Sequence, residues 1–540
     1  MWPGPFPATV RTREAEAMRS TRQVLLIGLD AAEPELIERW TEDGTLPNLA
    51  ALLARGSYGR LHPPDQVLLG PPWPSFYTGK PVSEHGLYEY LVWHPDRMRE
   101  TRASNVCALE PFWRDFGAEG PRSVIVDVPL VPSPRPIHGV EVNCWGTHDR
   151  LVPFATQPPE LARELVNAFG RPPMRPEVHR RVSNSRLLKE RDTQIETACS
   201  VADVAERLLD TEEWDFGLVC FSATHRAGHK LWSTSGSNGT GTAAGAAGLA
   251  NALQDVYRAV DTGIGRMLDL AGPDVDVLVF SLHGMGPNTS RVLVLPDLLK
   301  RILNDGAEAS ADGILSQIRL TVPLAAREWI KRQLPVPFQD RLSTFWRTRR
   351  NWSETKAISL TADLHGFIRI NLVGREARGL VEPSEYVAVC DMIAEGLLGF
   401  RDADTGDPVV SRVVRRTDLY AAGARAELLP DLVVVWSDRP VARHAALVSD
   451  RHGRVDWPAP GSNPDGRSGN HRLQGWIAAA GPSINSNSET LNGTILDIAP
   501  TALALLGLEV PPDMAGTPLS QLMAAQSRPA RASFQGGEDR

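Results

Sequence analysis

The chain has 540 residues, 42% of them hydrophobic and 23% charged, with a formal net charge of −8. This is the composition of a soluble globular protein long enough for a large α/β core with insertions. The acidic balance excludes a general electrostatic pull toward nucleic acid or an anionic membrane, so any anion it binds must be held locally.

The opening stretch MWPGPFPATVRTREAEAMRS has no apolar signal-like run, and VLLIGL at 24–29 is too short to span a membrane, which gives the expectation of a cytoplasmic protein. Residues 1–21 and the tail 521–540 are polar and rich in Gly and Pro, and are expected to be disordered. Five scattered cysteines without CxxC spacing indicate neither a disulfide framework nor a thiolate metal site.

Short apolar runs then recur between helical stretches: QVLLIGL (23–29), SVIVDV (123–128), FGLVCF (216–221), VDVLVF (275–280), FIRINL (367–372), DLVVVW (431–436) and GWIAAA (475–480). Continuous apolar strands alternating with helices predict an α/β fold with a largely parallel central sheet sandwiched by helices, over residues 22–520. In such sheets chemistry gathers beyond the carboxyl ends of the strands. Asp30, the segment SATHRAGH and His283 all fall there. Pieces near 87–215 and 290–360, the latter carrying the basic RLSTFWRTRRNWSETK, are read as cap insertions, and SGSNGTGTAAGAAGL at 235–249 as a flexible loop.

Four blocks in order carry a resemblance: VLLIGLDAAEPELIERWTEDGTLPNLAALLARGSYGRL with PPWPSFYTGKPVSEHGLYEY; FSATHRAGHKLW; VFSLHGMGPN; and SGNHRLQGWIAAAGPSI with TILDIAPTALALLGLEVPPDMAGTPL. Together they resemble the alkaline phosphatase superfamily, and within it the type I phosphodiesterase and nucleotide pyrophosphatase branch. The resemblance implies two metal ions about 4 Å apart, usually zinc. One would take an Asp and a His from the second block and a His from the fourth. The other would take the Asp after the first strand, a Thr or Ser nucleophile and an Asp-His pair from the third.

Carried onto this chain, the first set is complete but altered. His225 stands where the family has Asp, and His229 and His471 fall on its histidines. His225 and His229 share a helical face at i, i+4, and three neutral imidazoles suit a catalytic zinc with an open position. The second set is broken: Asp30 and His283 remain, but Leu282 replaces the carboxylate, and the nucleophile position, nine residues before Thr78, falls at Leu69. Ser75, the nearest hydroxyl, lies roughly 9 Å further along a helix.

Charge arithmetic points the same way. Two divalent ions against Asp30 alone would leave about +3 in a poorly solvated pocket, whereas one ion leaves about +1. The expectation is therefore one divalent metal ion, zinc first with iron or manganese as alternatives, held by His225, His229 and His471. His283 and Asp30 are the expected catalytic pair, and Asn143, Thr147 and Arg226 the candidate substrate contacts. Lys230, His85 and Trp145 are weaker candidates, as is His148. The implied activity is hydrolysis of a small anionic phosphoester, phosphonate or sulfate without a covalent phospho-enzyme. A repurposed lyase, isomerase or transferase, or a non-catalytic ligand-binding relative, stands as the alternative. No nucleic-acid or membrane partner is expected, and oligomeric state is not legible.

Overall fold

A computed structural model of the chain describes residues 22–65, 67–103, 107–147, 153–173, 177, 182–233, 248–303, 352–420, 422–441, 444–458, 463, 465–486 and 491–524. The expected disordered N-terminus lies outside these residues, as do most of the expected tail, residues 304–351 of the second insertion, and His148.

Leaving aside a small hairpin at 91–102, the strands that build and flank the site begin with β1 (Val24–Leu29), β2 (Ser57–His62), β3 (Ser123–Val126), β4 (Gly139–Asn143), β5 (Ala155–Gln157), β6 (Phe216–Phe221) and β7 (Asp276–Ser281). There follow β8 (Gly284–Pro287), β9 (Ala357–Ser359), β10 (Gly366–Ile370), β11 (Val410–Arg415), β12 (Leu432–Trp436), β13 (Gly469–Arg472), β14 (Gly475–Ala480) and β15 (Leu491–Thr494). Nine of them form one sheet in the order β15-β2-β14-β7-β1-β6-β3-β4-β5. The run β7-β1-β6-β3-β4 is parallel throughout, while β14 is antiparallel to both β7 and β2.

Both faces of the sheet are buried, which is why its strands read as unbroken apolar runs. Val24 and Leu26 point into one core, with Trp73, Phe76 and Phe280; Leu25, Ile27 and Leu29 point into the other. The second core is roofed by α4 (Asn184–Thr211) and α6 (Ala252–Ala271), with α1 (Pro34–Glu42) and α2 (Pro47–Arg55) beside them. The first is closed by α3 (Trp73–Thr78) and α9 (Ile498–Leu505). Helix α5 (Ala223–Leu231) follows β6 directly.

Two expectations need correction. FIRINL and DLVVVW do not join the main sheet; β10 and β12 pair antiparallel in a separate four-stranded sheet, order β9-β10-β12-β11. Helices α7 (Leu295–Leu303) and α8 (Tyr386–Leu398) pack on it to form a third core. An apolar run reports burial and not partnership, so it cannot say which sheet a strand enters. Likewise, much of the insertion expected near 87–215 is main-layer structure, since β3, β4, β5 and α4 lie inside it. Among the described residues no helix is long and apolar enough to cross a membrane.

Candidate metal centre

The parallel strands end on one edge of the sheet, and that edge carries the site. Asp30 follows β1, His225 lies in the first turn and a half of α5 after β6, and His283 follows β7. His471 reaches the same edge because β14 is antiparallel, so the segment entering it arrives where β7 leaves, with Trp476 opposite Ser281. The short ribbon β8/β13 fixes the approach: Met285 is opposite His471 and Gly284 opposite Arg472.

His225, His229 and His471 converge. They form a group whose ligand atoms all lie within 4.8 Å of one another, and no other such group occurs among the described residues. His225 Nδ1 lies 2.7 Å from Asp30 Oδ2, and His229 Nδ1 lies 3.0 Å from the Gly469 carbonyl. A carboxylate and a carbonyl only accept, so each imidazole donates through Nδ1–H and keeps a bare lone pair on Nε2. Those two Nε2 atoms face each other at 2.9 Å. Two acceptors at that distance repel unless a cation lies between them. Burial holds the His229 pKa well below its ordinary value, so protonation is disfavoured and a metal ion fits the donor set.

Close packing makes this arrangement possible at two glycines. A Cβ on Gly469 would sit 2.3 Å from the Gly228 carbonyl, so only glycine lets β13 approach α5 closely enough for its carbonyl to meet His229. A Cβ on Gly28 would sit 2.5 Å from the Trp73 ring. Trp73 thus packs close against β1, and its indole Nε1–H donates to Asp30 Oδ1 at 2.8 Å.

Asp30 therefore has both oxygens engaged, one by Trp73 and one by His225. Burial alone would raise its pKa, but the electrostatic interaction and hydrogen bond with His225, the interaction with His283 and the Trp73 bond outweigh it and hold the carboxyl below the usual range. His283 Nε2 lies 3.0 Å from His471 Nδ1, and burial pushes the His283 pKa down to about 4. Each member of the expected catalytic pair thus contacts one of the three histidines, Asp30 meeting His225 and His283 meeting His471. Both still line the cavity above the site.

That cavity has a volume of about 460 Å³ and is also walled by Thr147, Ser222, Asp363, His365 and Arg467. Of the expected substrate contacts, only Thr147 reaches it. Asn143 shares its strand face with Glu141, which pairs with Arg114; its side chain turns away to the Pro132 carbonyl at 3.1 Å. Arg226 is buried beside Glu190 at 3.4 Å and is not in the cavity wall, and Lys230 lies 3.7 Å from buried Glu177. Trp145 is fully buried, donating its indole N–H to Ser200.

Neither Leu69 nor Leu282 faces the cavity; both pack in the core that holds Trp73. Ser75 Oγ lies 3.0 Å from His85 Nε2, a pair that looks like a serine activated by histidine. The tautomer argues otherwise. The Leu87 backbone N–H donates to His85 Nδ1, so the single proton of neutral His85 sits on Nε2 and points at Ser75. With burial pushing its pKa down to about 3, His85 cannot take the serine proton.

Three cavity residues escaped the sequence reading. Arg467, from GRSGNHR just before His471, is clamped by Glu177 at 2.7 Å and Asp363 at 2.6 Å. Asp363 comes within 4.0 Å of His471; burial would raise its pKa, but Arg467 wins and holds it at about 2. The centre therefore has a second carboxylate beside it, and Asp30 is not the sole anion as the sequence arithmetic assumed. His365, on the same loop, has both ring nitrogens enclosed without a hydrogen-bond partner among the described residues, and burial pushes its pKa to about 4.

His85 and His365 make acid stability a testable property. Each is neutral when folded and takes up a proton on unfolding with a pKa near the ordinary 6.5. The folded state is then fully favoured above about pH 6.5 and loses roughly 3 kcal/mol from His365 alone as pH falls toward 4. Urea midpoints should fall steadily across that window in the chelator-treated protein; a flat profile would contradict the assignment.

The sequence signature of the type I phosphodiesterase / nucleotide pyrophosphatase family matches residues 24–453. The chain belongs to that family. Membership places it among the metal-dependent enzymes of the alkaline phosphatase superfamily. Among curated proteins none is similar enough in sequence to count as a relative. The fold is similar to that of phosphonoacetate hydrolase from Sinorhizobium meliloti 1021. In complex with phosphonoacetate that structure has a TM-score of 0.51 at 14% identity, covering 90% of this chain and 96% of that one. With phosphonoformate the figures are 0.50, 14%, 90% and 96%. Human ectonucleotide pyrophosphatase / phosphodiesterase 5 gives a TM-score of 0.49 at 12% identity, covering 93% of this chain and 100% of that one.

Proposed function

We propose that this family member is a hydrolase of small phosphoryl-type anions that works through a single divalent ion, zinc first, held by His225, His229 and His471. The observation that carries the proposal is the pair of Nε2 lone pairs facing each other at 2.9 Å while both Nδ1 protons are committed elsewhere. When bound, such an ion supplies Lewis acidity, charge neutralisation and activation of water.

The chain's own residues define the rest. Asp30, the Gly469 carbonyl and His283 fix the three imidazoles, as outer partners of metal-binding histidines commonly do. Thr147 donates its proton to the Asp127 carbonyl, and Ser222, 2.5 Å away, therefore donates to Thr147. The pair offers lone pairs to the cavity, which suits orienting a water and not gripping an anion. Asp363 and Arg467 carry further charge at the wall beside His471.

Among the described residues, neither the expected nucleophile position nor the nearest serine supports a covalent phosphoryl intermediate. Leu69 is apolar and Ser75 is held by the wrong His85 tautomer, so a single displacement by water is the step that remains. Turnover of an aryl phosphodiester in heavy-oxygen water, with rapid quenching and mass spectrometry of the intact protein, tests this. The label should appear in the phosphate product with no phosphorylated protein; a trapped adduct would overturn the single-displacement assignment. None of the five cysteines forms a disulfide, which supports a reducing, cytoplasmic setting.

A further inference from the structure

We infer that the substrate carries one phosphoryl-type anionic group joined to a bulky apolar group, such as an aryl phosphonate or aryl phosphodiester; the inference rests on the metal-dependent reading above. It comes from a charge census of the cavity wall. Among the described residues the wall carries the acids Asp30, Glu89, Asp363 and Asp465 and, besides histidines, a single cationic side chain, Arg467. That cation is spent, because Glu177 grips its Nε and Nη2 and Asp363 its Nη1. Lys230 and Arg226 sit behind the wall against Glu177 and Glu190. Among the described residues, an ion on the three histidines is therefore the one positive charge left to meet an anion. A second anionic group would meet carboxylates, with like-charge repulsion and no compensating partner.

The remaining wall is apolar and shaped. Leu68, Tyr88, Tyr90, Val292, Leu293 and Phe367 line it. Tyr88 is rigid: its hydroxyl accepts the Trp93 backbone N–H, and its ring packs edge-on to Phe367 at 5.7 Å. Leu293 is 47% exposed, one of few large apolar side chains left open to solvent among the described residues. A cavity of about 460 Å³ exceeds what a phosphoryl group fills and falls in the range of pockets that enclose a whole organic ligand. The part of the ligand beyond the anion is then uncharged and hydrophobic, which sets this site apart from one that takes phosphonoacetate, whose carboxylate finds no second cation among the described residues.

Calorimetric binding of methylphosphonate, phenylphosphonate and phosphonoacetate to the metal-loaded full chain tests this. Phenylphosphonate should bind at least about tenfold more tightly than methylphosphonate, from the aryl surface removed from water, and phosphonoacetate no more tightly than methylphosphonate. Leu293→Ser, at a position exposed enough to leave folding intact, should narrow the phenyl-to-methyl ratio severalfold. Equal affinities for the methyl and phenyl compounds, or tightest binding of phosphonoacetate, would overturn the substrate class and leave the metal-dependent reading standing. Failure of all three to bind a chain that carries its metal would remove both.

Discussion

His229→Ala should release the metal and abolish turnover. Its Nε2 is one of two lone pairs aimed at a common point, and alanine deletes it while leaving the Gly469 carbonyl without its donor. Loss of an outer partner of a metal ligand commonly costs about 10–100-fold in affinity, and loss of the ligand itself should exceed that. Metal per chain after dialysis, with circular dichroism to verify folding, measures the effect. Stoichiometric metal in a folded His229→Ala protein would show that the histidines are not the binding set.

The second large effect is expected at Asp30, and its size distinguishes an orienting carboxylate from a metal ligand or catalytic base. Asp30→Asn puts an amide where both neighbours donate: either the Trp73 Nε1–H or the His225 Nδ1–H must face an NH₂. Metal affinity should fall about 10–100-fold, the range for loss of an outer partner, with the protein still able to load at high metal concentration. Trp73→Phe keeps the carboxylate and its His225 bond, and removes one donor. It should weaken metal binding by less than Asp30→Asn does. If Trp73→Phe instead raised the metal content toward two ions, the indole would be blocking a second site and Asp30 would be a latent ligand.

How far the site was legible follows from where its contacts lie along the chain. The α/β layering was readable because strands such as VLLIGL and FGLVCF bury both faces and leave a continuous apolar signature. The convergence of His225 and His229 was readable from helical spacing, and that of His471 from the resemblance of GNHRLQG to a family block. What could not be read were contacts between distant segments with no local signature. Trp73 meets Asp30 across 43 residues, and Arg467 meets Glu177 across 290. Those contacts engage both oxygens of Asp30, with Trp73 and His225 as partners, and clamp Arg467 between Glu177 and Asp363.

Asn143 shows a different failure. Its position at the end of a strand was a sound reason to expect it near the site, but strand parity decides the face, and it shares that of Glu141, away from the cavity. Leu69 and Leu282, where the resemblance implies a nucleophile and a carboxylate, have a physical setting as well. Both leucines extend the apolar core around Trp73, and the same tryptophan donates its indole N–H to Asp30 Oδ1.

Metal content of the purified, metal-replete and gel-filtered chain, set against protein concentration from amino-acid analysis, tests the single-ion centre most directly. About one equivalent per chain is expected from three converging imidazoles and a carboxylate with both oxygens engaged. About two equivalents, as in the paired-ion sites of two-metal hydrolases, would contradict it.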